Sequence, residues 1–539
     1  MDLTGKSGLL IDDIAEMRTT VRIQLSDAGL ERCDAARNIK EAIERLTANR
    51  YDIIVCDYNL GQGADGQQFL ELVRRRQLLP MTTAFLMITG ETGYEQVATA
   101  AEYAPDDYLL KPFTAETLRT RLARILEKKE ALRSLYVQLG EKCDRTKALA
   151  ECDKLLATKN RYSLDVLRIK GDLLLAQKNT PEALALYESV LAQRATPWAE
   201  VGRARAIAAA GNEEDAKAHL ARALTAYPNY LAAYDSLAKI LEKTDKEAAQ
   251  EVVEQALKVA PSTQRQRQLG SLALENKDFA RAEEAFKRTV DKDKTGFFKS
   301  HDDYAGLAKS YVEQGKAKEA LDTVKDMAVH FRKSPELEAR QAAVESIVHV
   351  RSGNPAAAAS ALERALALGK AGGLDPTTSL EIAHACFASG KPEAAKEIIK
   401  AVAEDHHESD EVLARARSVF VAAGLKEEGE IFLEATRKQM IKLNNDAVAL
   451  AKAGDLDHAI AMLQEAADRL TNNCQVAINA ALAILMQVQK VGPTAERFAR
   501  AQAYILQARR ANPEHPRLVE VAAFYRKLAP PGTPIIEES

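Results

Sequence analysis

Short apolar runs alternate with amphipathic stretches over the first 128 residues. Runs of apolar residues without polar interruptions predict strands buried on both faces, and they lie at 7–11, 52–56, 84–88 and 107–110, with a weaker one at 32–36. Stretches with the helical period lie between them, at about 15–28, 38–49, 65–77, 93–103 and from 114 onward. This order predicts a doubly wound, flavodoxin-like α/β domain, with a parallel sheet between two layers of helices.

Beyond about residue 129 the strand pattern disappears, and Ala-rich helical segments recur in pairs. A Gly ends the first helix of a pair, and a small Ala five residues later lets the second helix pack closely against it. This phrase recurs at Gly211/Ala216, Gly315/Ala320, Gly353/Ala358, Gly390/Ala395 and Gly454/Ala459. The pattern resembles the tetratricopeptide repeat (TPR). It predicts an all-α superhelical solenoid of about 10–11 hairpins over 129–515, then a capping helix and a loose tail in 516–539.

The two parts meet in a segment without a helix breaker. From Thr114 to Leu139 the helical pattern is continuous, and Gly140 follows. This length exceeds what a small α/β domain needs for its closing helix. We therefore expect the last helix of the first domain to continue into the first helix of the solenoid, as a semi-rigid joint.

Charge and cysteine content exclude several classes of protein. The chain has 74 Lys and Arg against 78 Asp and Glu, and this balance argues against a nucleic-acid binder, which needs a concentrated positive surface. None of the six Cys residues form a CxxC pair, so the sequence indicates neither a disulfide framework nor a zinc site. We expect no membrane insertion, because no apolar run approaches about 20 residues, and we expect a cytoplasmic protein.

Polar residues of complementary chemistry follow the predicted strands. Asp12 and Asp13 come after the first strand, Asp57 after the third, Thr89 after the fourth and Lys111 after the fifth. The carboxyl ends of parallel strands share one edge of a sheet, so these side chains are predicted to converge. Three neighbouring carboxylates repel one another unless a hard cation such as Mg²⁺ lies between them. A carboxylate beside Mg²⁺ and a Lys ammonium is equipped to attack a phosphoryl group.

These residues lie in the motifs "LLIDD", "IIVCDYNLGQGADG", "LMITGE" and "DDYLLKPF". In order and spacing, the motifs resemble those of the CheY-like response-regulator receiver domain. The resemblance implies that Asp57 is the phosphoacceptor. It also implies that Asp12, Asp13 and Asp57 hold Mg²⁺ together with the backbone carbonyl of Asn59.

The same resemblance assigns the remaining site residues. Thr89 and Lys111 would bind the phosphoryl group, and Tyr108 would be the aromatic switch that changes its burial when the Thr moves. The side chains of Asn59 and Glu91 stand at positions that tune the rate of dephosphorylation in such domains.

The architecture implies an output through protein contacts. Receivers usually control a DNA-binding domain or an enzyme, and the sequence indicates neither, nor any enzyme activity beyond Mg²⁺-dependent self-phosphotransfer and autodephosphorylation. The leading interpretation is a bacterial two-component response regulator. A sensor histidine kinase or phosphotransfer protein would phosphorylate it, and an unknown protein or peptide would bind in the TPR groove.

Other interpretations remain open from the sequence. The domain order resembles that of VieB-type receiver–TPR regulators, which favours a modulator that inhibits a histidine kinase or phosphorelay by competing for its phosphoryl group. A constitutive scaffold with a vestigial receiver is a third interpretation, which the intact motifs disfavour. Receivers often dimerise around the position of Tyr108, so a phosphorylation-dependent homodimer is a further expectation.

Overall fold

A computed structural model describes residues 3–61, 65–90, 104–140, 144–158, 161–293, 299–513 and 515–529. The chain divides into two compact units, Met1–Ser310 and Tyr311–Ser539. The helix predicted at 93–103 and the predicted site residue Glu91 lie outside the described residues.

The first unit begins with a five-stranded sheet. Its strands are β1 (Ser7–Ile11), β2 (Arg32–Ala36), β3 (Ile53–Asp57), β4 (Ala84–Thr89) and β5 (Asp107–Leu110). Every pair is parallel, and the spatial order is β2-β1-β3-β4-β5. Strand β2 therefore lies on one side of β1, and β3, β4 and β5 follow on the other side. The predicted flavodoxin-like α/β class is confirmed.

Helices cover both faces of this sheet. They are α1 (Ala15–Asp27), α2 (Ile39–Ala48), α3 (Gly66–Arg75) and α4 (Ala115–Ala131). Alternate residues of β3 enter opposite cores, because successive side chains of a strand point to opposite faces. Val55 packs with residues of α1 and α4, whereas Ile54 packs with residues of α2 and α3. Burial on both faces explains why the central strands β1, β3 and β4 appear in the sequence as apolar runs, whereas the edge strand β2 gives a weaker pattern.

The described residues beyond Ala131 form helices and short connections, without strands. In the first unit the helices are α5 (Arg133–Gln138), α6 (Arg145–Ala157), α7 (Ser163–Ala176), α8 (Thr180–Gln193), α9 (Pro197–Ala209), α10 (Glu213–Ala226), α11 (Leu231–Thr244), α12 (Lys246–Val259), α13 (Thr263–Glu275) and α14 (Phe279–Asp293); α15 (His301–Glu313) follows. Consecutive helices pack in pairs, as the repeat pattern predicts.

The second unit continues the helical pairs. Its helices are α16 (Ala317–His330), α17 (Pro335–Arg351), α18 (Pro355–Lys370), α19 (Pro376–Ala388), α20 (Pro392–Asp405), α21 (Asp410–Ala422), α22 (Lys426–Lys452), α23 (Leu456–Arg469), α24 (Cys474–Val491), α25 (Ala495–Ala511) and α26 (Pro516–Leu528). The recurring Gly at the end of a first helix is confirmed as a left-handed residue at each of the five aligned positions; Gly211, for example, has φ 94°.

Two helices differ from the sequence expectation. The continuous helix predicted from Thr114 to Leu139 is wrong at Leu132, where φ −108° and ψ 12° separate α4 from α5. Leu132 is fully buried with Leu135, and helical hydrogen bonds continue on both sides of it, from Leu132 N to Lys128 O and from Tyr136 N to Leu132 O. Conversely, α22 runs for 27 residues and joins two predicted hairpins without a break. It contains Asn444 and Asn445 but neither Gly nor Pro beyond Gly429, so no residue stops it.

Helix α24 is longer and more apolar than expected from the sequence, where no apolar run of membrane-spanning length was predicted. Its 18 residues, Cys474–Val491, are long and apolar enough to cross a membrane by length and composition alone. In the structure 61% of this segment is buried inside the protein, where it packs against Phe498 and Tyr525. The helix therefore serves as the central core helix of the last repeats.

Glycines in the helix interiors make room for large aromatic side chains. Tyr187 on α8 is buried between Gly171 on α7 and Gly202 on α9. A Cβ atom at Gly171 would lie 2.6 Å from Tyr187 Oη, and one at Gly202 would lie closer still to the ring. The same arrangement recurs at Phe286, between Gly270 and Gly306. These glycines thus fix how closely adjacent repeats approach.

We predict that Gly202→Ala lowers the free energy of unfolding by about 1 kcal/mol, because overpacking of a buried ring costs about 1–3 kcal/mol and outweighs the ~1 kcal/mol that Ala gains in a helix. Gly369→Ala on α18 is the matched control, since its Cβ would meet only Ile382 Cδ1 at 3.4 Å. Thermal and urea unfolding measure both. Equal stability of the two variants would show that Tyr187 adjusts and that the glycine is not required.

Candidate functional site

The ends of four strands position one group of polar residues. Asp57 is the last residue of β3, and Thr89 is the last residue of β4. Asp12 follows β1 and Lys111 follows β5. Backbone bonds extend the ladder past the strand ends, since Asp12 N donates to Ala36 O and Lys111 N donates to Thr89 O. The sheet therefore fixes the backbone under each functional side chain.

Three carboxylates meet at this edge. One oxygen from each of Asp12, Asp13 and Asp57 lies within 4.8 Å of the others. Asp12 is 1% exposed and Asp57 is 5% exposed, whereas Asp13 is open to solvent. Two of the three charges are thus removed from water, and an approaching ion or ligand reaches the cluster on the side of Asp13.

Lys111 is the cation that faces this cluster. Its Nζ lies 3.0 Å from Asp57 Oδ2 and 3.6 Å from Asp12 Oδ2. Burial raises the pKa of the Asp57 carboxyl, and Lys111 works against that rise. Burial likewise raises the pKa of Asp12, although the Ile14 backbone N–H, which donates to Asp12 Oδ1 at 2.8 Å, opposes it. Among the residues that the structure describes, one ammonium beside three carboxylates leaves an excess of negative charge.

This donor set fits a divalent cation. Carboxylate oxygens at short mutual distance are the ligands of Mg²⁺, and the uncompensated charge supplies the attraction. The predicted ligand Asn59 lies two residues beyond Asp57, where its side-chain Oδ1 accepts a hydrogen bond from Gly61 N at 3.2 Å. That bond orders the loop on which the Asn59 carbonyl lies. Asp12, Asp13 and Asp57 are therefore the residues that would hold Mg²⁺, and the Asn59 carbonyl stays a predicted further ligand.

Three further residues support the site and were not singled out from the sequence. Gly66 packs directly on the Asp57 backbone carbonyl, where a Cβ would collide with it and would lie 2.9 Å from Met87 Sδ. At Gly61, with φ 78°, a Cβ would lie 2.8 Å from Asp13 Oδ2. Arg18 Nη1 donates to the Asp12 carbonyl at 2.7 Å. The glycine-rich "LGQGADG" segment is the signal that could have indicated the first two.

The predicted switch residues are both buried. Thr89 lies at the site edge of β4, and Tyr108 lies on the neighbouring strand β5 in the core that contains Phe69, Phe85 and Met87. Tyr108 is 4% exposed, so its ring is turned into the protein in this structure.

Comparisons with known proteins agree with this arrangement. The response regulator receiver domain family matches residues 9–123, and the tetratricopeptide repeat family matches residues 241–297 and 349–418. Chemotaxis protein CheY-3 of Vibrio cholerae is 34% identical over 120 residues, which are 22% of this chain and 91% of that protein. Chemotaxis protein CheY of Pseudomonas aeruginosa is 31% identical over 120 residues, which are 22% of this chain and 95% of that protein. A solved tetratricopeptide repeat protein from Parabacteroides merdae aligns with 45% of this chain and 93% of its own, at 17% identity and a TM-score of 0.30.

We predict that Asp12→Asn raises the melting temperature of the metal-free protein at pH 7 by about 2 °C. A buried carboxyl with a raised pKa destabilises the fold at pH values above that pKa, so removing its charge stabilises it, and the difference should vanish as the pH falls. In Mg²⁺ the order should reverse, because the wild type gains stability from the bound ion and the variant gains less.

Thermal melts with EDTA and with Mg²⁺ measure both effects. Asp52→Asn is the control, because this carboxylate pairs with Lys6 near the opposite ends of the strands. It should keep the full stabilisation by Mg²⁺. An undiminished Mg²⁺ response in Asp12→Asn would contradict the assignment of Asp12 as a metal ligand.

Proposed function

The chain belongs, through residues 9–123, to the response regulator receiver family, and on that premise we propose that it is a two-component response regulator phosphorylated on Asp57 by a sensor histidine kinase or phosphotransfer protein. The observation that carries this proposal is the placement of Asp57 at a strand end, with Lys111 Nζ at 3.0 Å and two further carboxylates beside it. The tetratricopeptide repeats that follow support an output through protein contacts.

The chemistry is transfer of a phosphoryl group from a phosphohistidine. An Asp57 oxygen attacks phosphorus, the new O–P bond forms while the P–N bond breaks, and the departing imidazole nitrogen keeps the electron pair and takes a proton. The Lys111 ammonium pairs with the phosphoryl oxygens, and the Thr89 hydroxyl hydrogen-bonds them. Bound Mg²⁺ supplies neutralisation of the negative charge on those oxygens. Hydrolysis of the acyl phosphate is then tuned by Asn59 and Glu91.

The response of the protein begins at Thr89 and Tyr108. When Thr89 turns to the phosphoryl group it frees space beside Tyr108, and the ring moves from one packing arrangement to another.

We propose residues 1–128 as the receiver and 129–515 as the repeat array, with a cap and tail in 516–539. The array would bind a protein or peptide in its groove, and the changed receiver surface would bind a second copy. We propose that the protein acts in the cytoplasm, where a histidine kinase would transfer its phosphoryl group to Asp57.

We predict that acetyl phosphate with Mg²⁺ transfers one phosphoryl group per chain, and that Asp57→Asn reduces the transfer by about 100-fold or more, because the amide is not a nucleophile. Intact-mass spectrometry measures the incorporation. Asp52→Asn, near the opposite ends of the strands, is the control and should be phosphorylated like the wild type. Undiminished labelling of Asp57→Asn would contradict the proposal.

The kinase-modulator interpretation makes a different prediction. A protein that competes for phosphoryl groups lowers transfer from the kinase to a second regulator in proportion to its own concentration, and Asp57→Asn loses that effect. Reconstitution of a kinase, its regulator and this protein measures the flux. Unchanged transfer over a stoichiometric range excludes the modulator and leaves the regulator.

A further inference from the structure

A buried lysine lies at the end of helix α4, far along the chain from the phosphoacceptor. Lys129 is 6% exposed. Its Nζ lies 2.8 Å from Asp106 Oδ1, donates to the Met81 carbonyl at 2.8 Å, and stands 5.0 Å from the centroid of the Tyr136 ring. Burial lowers the pKa of Lys129, and Asp106 opposes that change. An ammonium so placed depends on its partners, since a buried charge that loses them is costly.

The three partners come from three different segments. Met81 lies just before β4, Asp106 lies just before β5, and Tyr136 is on α5, the first helix of the repeats. Met81 also packs on the apolar cluster of Leu132, Leu135 and Tyr136 that joins α5 to α6 and α7. The amino-terminal ends of β4 and β5 are therefore held against the first hairpin through Lys129.

Strand β5 connects this junction with the phosphoacceptor. Asp106, the residue before β5, continues the ladder between β5 and β4: Phe85 N donates to Asp106 Oδ2 at 2.8 Å, and Asp106 N donates to Phe85 O at 2.9 Å. Lys111 follows the other end of β5 and lies 3.0 Å from Asp57 Oδ2. One four-residue strand thus has an ion pair at each end, and it lies at the sheet edge with β4 as its neighbour.

We propose that the Lys129–Asp106 ion pair couples the phosphorylation state of Asp57 to the packing of the first repeat hairpin, an inference that rests on the proposed function. A phosphoryl group on Asp57 re-pairs Lys111 and so changes the position of β5. An edge strand has one hydrogen-bonded neighbour and shifts more readily than a central strand. Asp106 moves with the strand, and Lys129 transmits the change to Tyr136. By linkage, a ligand that alters the hairpin alters phosphorylation in return.

The test compares the full-length wild type with Lys129→Met, with and without Mg²⁺ and beryllofluoride as the phosphoryl mimic. Fluorine NMR reports bound beryllofluoride, and hydrogen–deuterium exchange reports the hairpin over 133–157. We expect beryllofluoride to change exchange in the hairpin by about 5-fold or more in the wild type. At saturating beryllofluoride, Lys129→Met should be as fully occupied as the wild type, with less than about a 2-fold change in hairpin exchange.

Lys128→Met is the matched control. Lys128 pairs with Asp165 on α7, so this variant removes a neighbouring lysine and an ion pair with the repeats without touching β5. It should keep the wild-type response. If Lys129→Met does not fold, Asp106→Asn replaces it, because the amide oxygen still accepts from Phe85 N while the ion pair is lost.

Each outcome decides the question. A hairpin response that persists in Lys129→Met, or one that is lost equally in Lys128→Met, overturns the role of Lys129. Bound beryllofluoride without any hairpin response in the wild type overturns the coupling and leaves the proposed function intact. Absence of bound beryllofluoride overturns the proposed function, and the coupling with it.

Discussion

Parallel strand ends hold three carboxylates together at one edge of the sheet, and the resulting negative charge determines what this edge can bind. Two carboxylates are buried there beside a third, and Lys111 lies opposite them. Such a group is costly unless a cation neutralises it, and the strand ends hold its members together. Gly66 against the Asp57 carbonyl shows how little room the backbone has to relax.

Ion pairs also set the register of the helical repeats. Arg267 on α13 binds Asp303 on α15 through two short contacts of 2.6 and 2.7 Å, and Arg265 on α13 binds Asp235 on α11 at 2.8 Å. Each pair joins the first helix of one hairpin to the first helix of a neighbouring hairpin. Together with the aromatic rings held between glycines, they fix the spacing of repeats whose Ala-rich surfaces alone specify it weakly.

Much of this architecture could be predicted from the sequence. Burial on both faces gives β1, β3 and β4 their apolar runs, whereas the edge strand β2 (Arg32–Ala36) is half-exposed and gives a weaker pattern. The bounds of β1, β2 and β5 agree with the predicted segments, and those of β3 and β4 agree to within one residue. The converging residues follow from parallel topology, which brings Asp12, Asp57 and Lys111 to one edge. The break at Leu132 could not be predicted, because it depends on a core shared with Met81, 51 positions away in sequence. The burial of Lys129 could not be predicted either, because a lysine in a helix is usually solvated.

The most direct test of phosphorylation on Asp57 is to locate the phosphoryl group along the chain. After reaction with acetyl phosphate and Mg²⁺, borohydride reduces an aspartyl phosphate to homoserine with release of phosphate, and tandem mass spectrometry identifies the residue. We expect homoserine at position 57, dependent on Mg²⁺, with Asp12 and Asp13 unchanged. Homoserine at another aspartate, or none under conditions in which a known receiver is labelled, would contradict it.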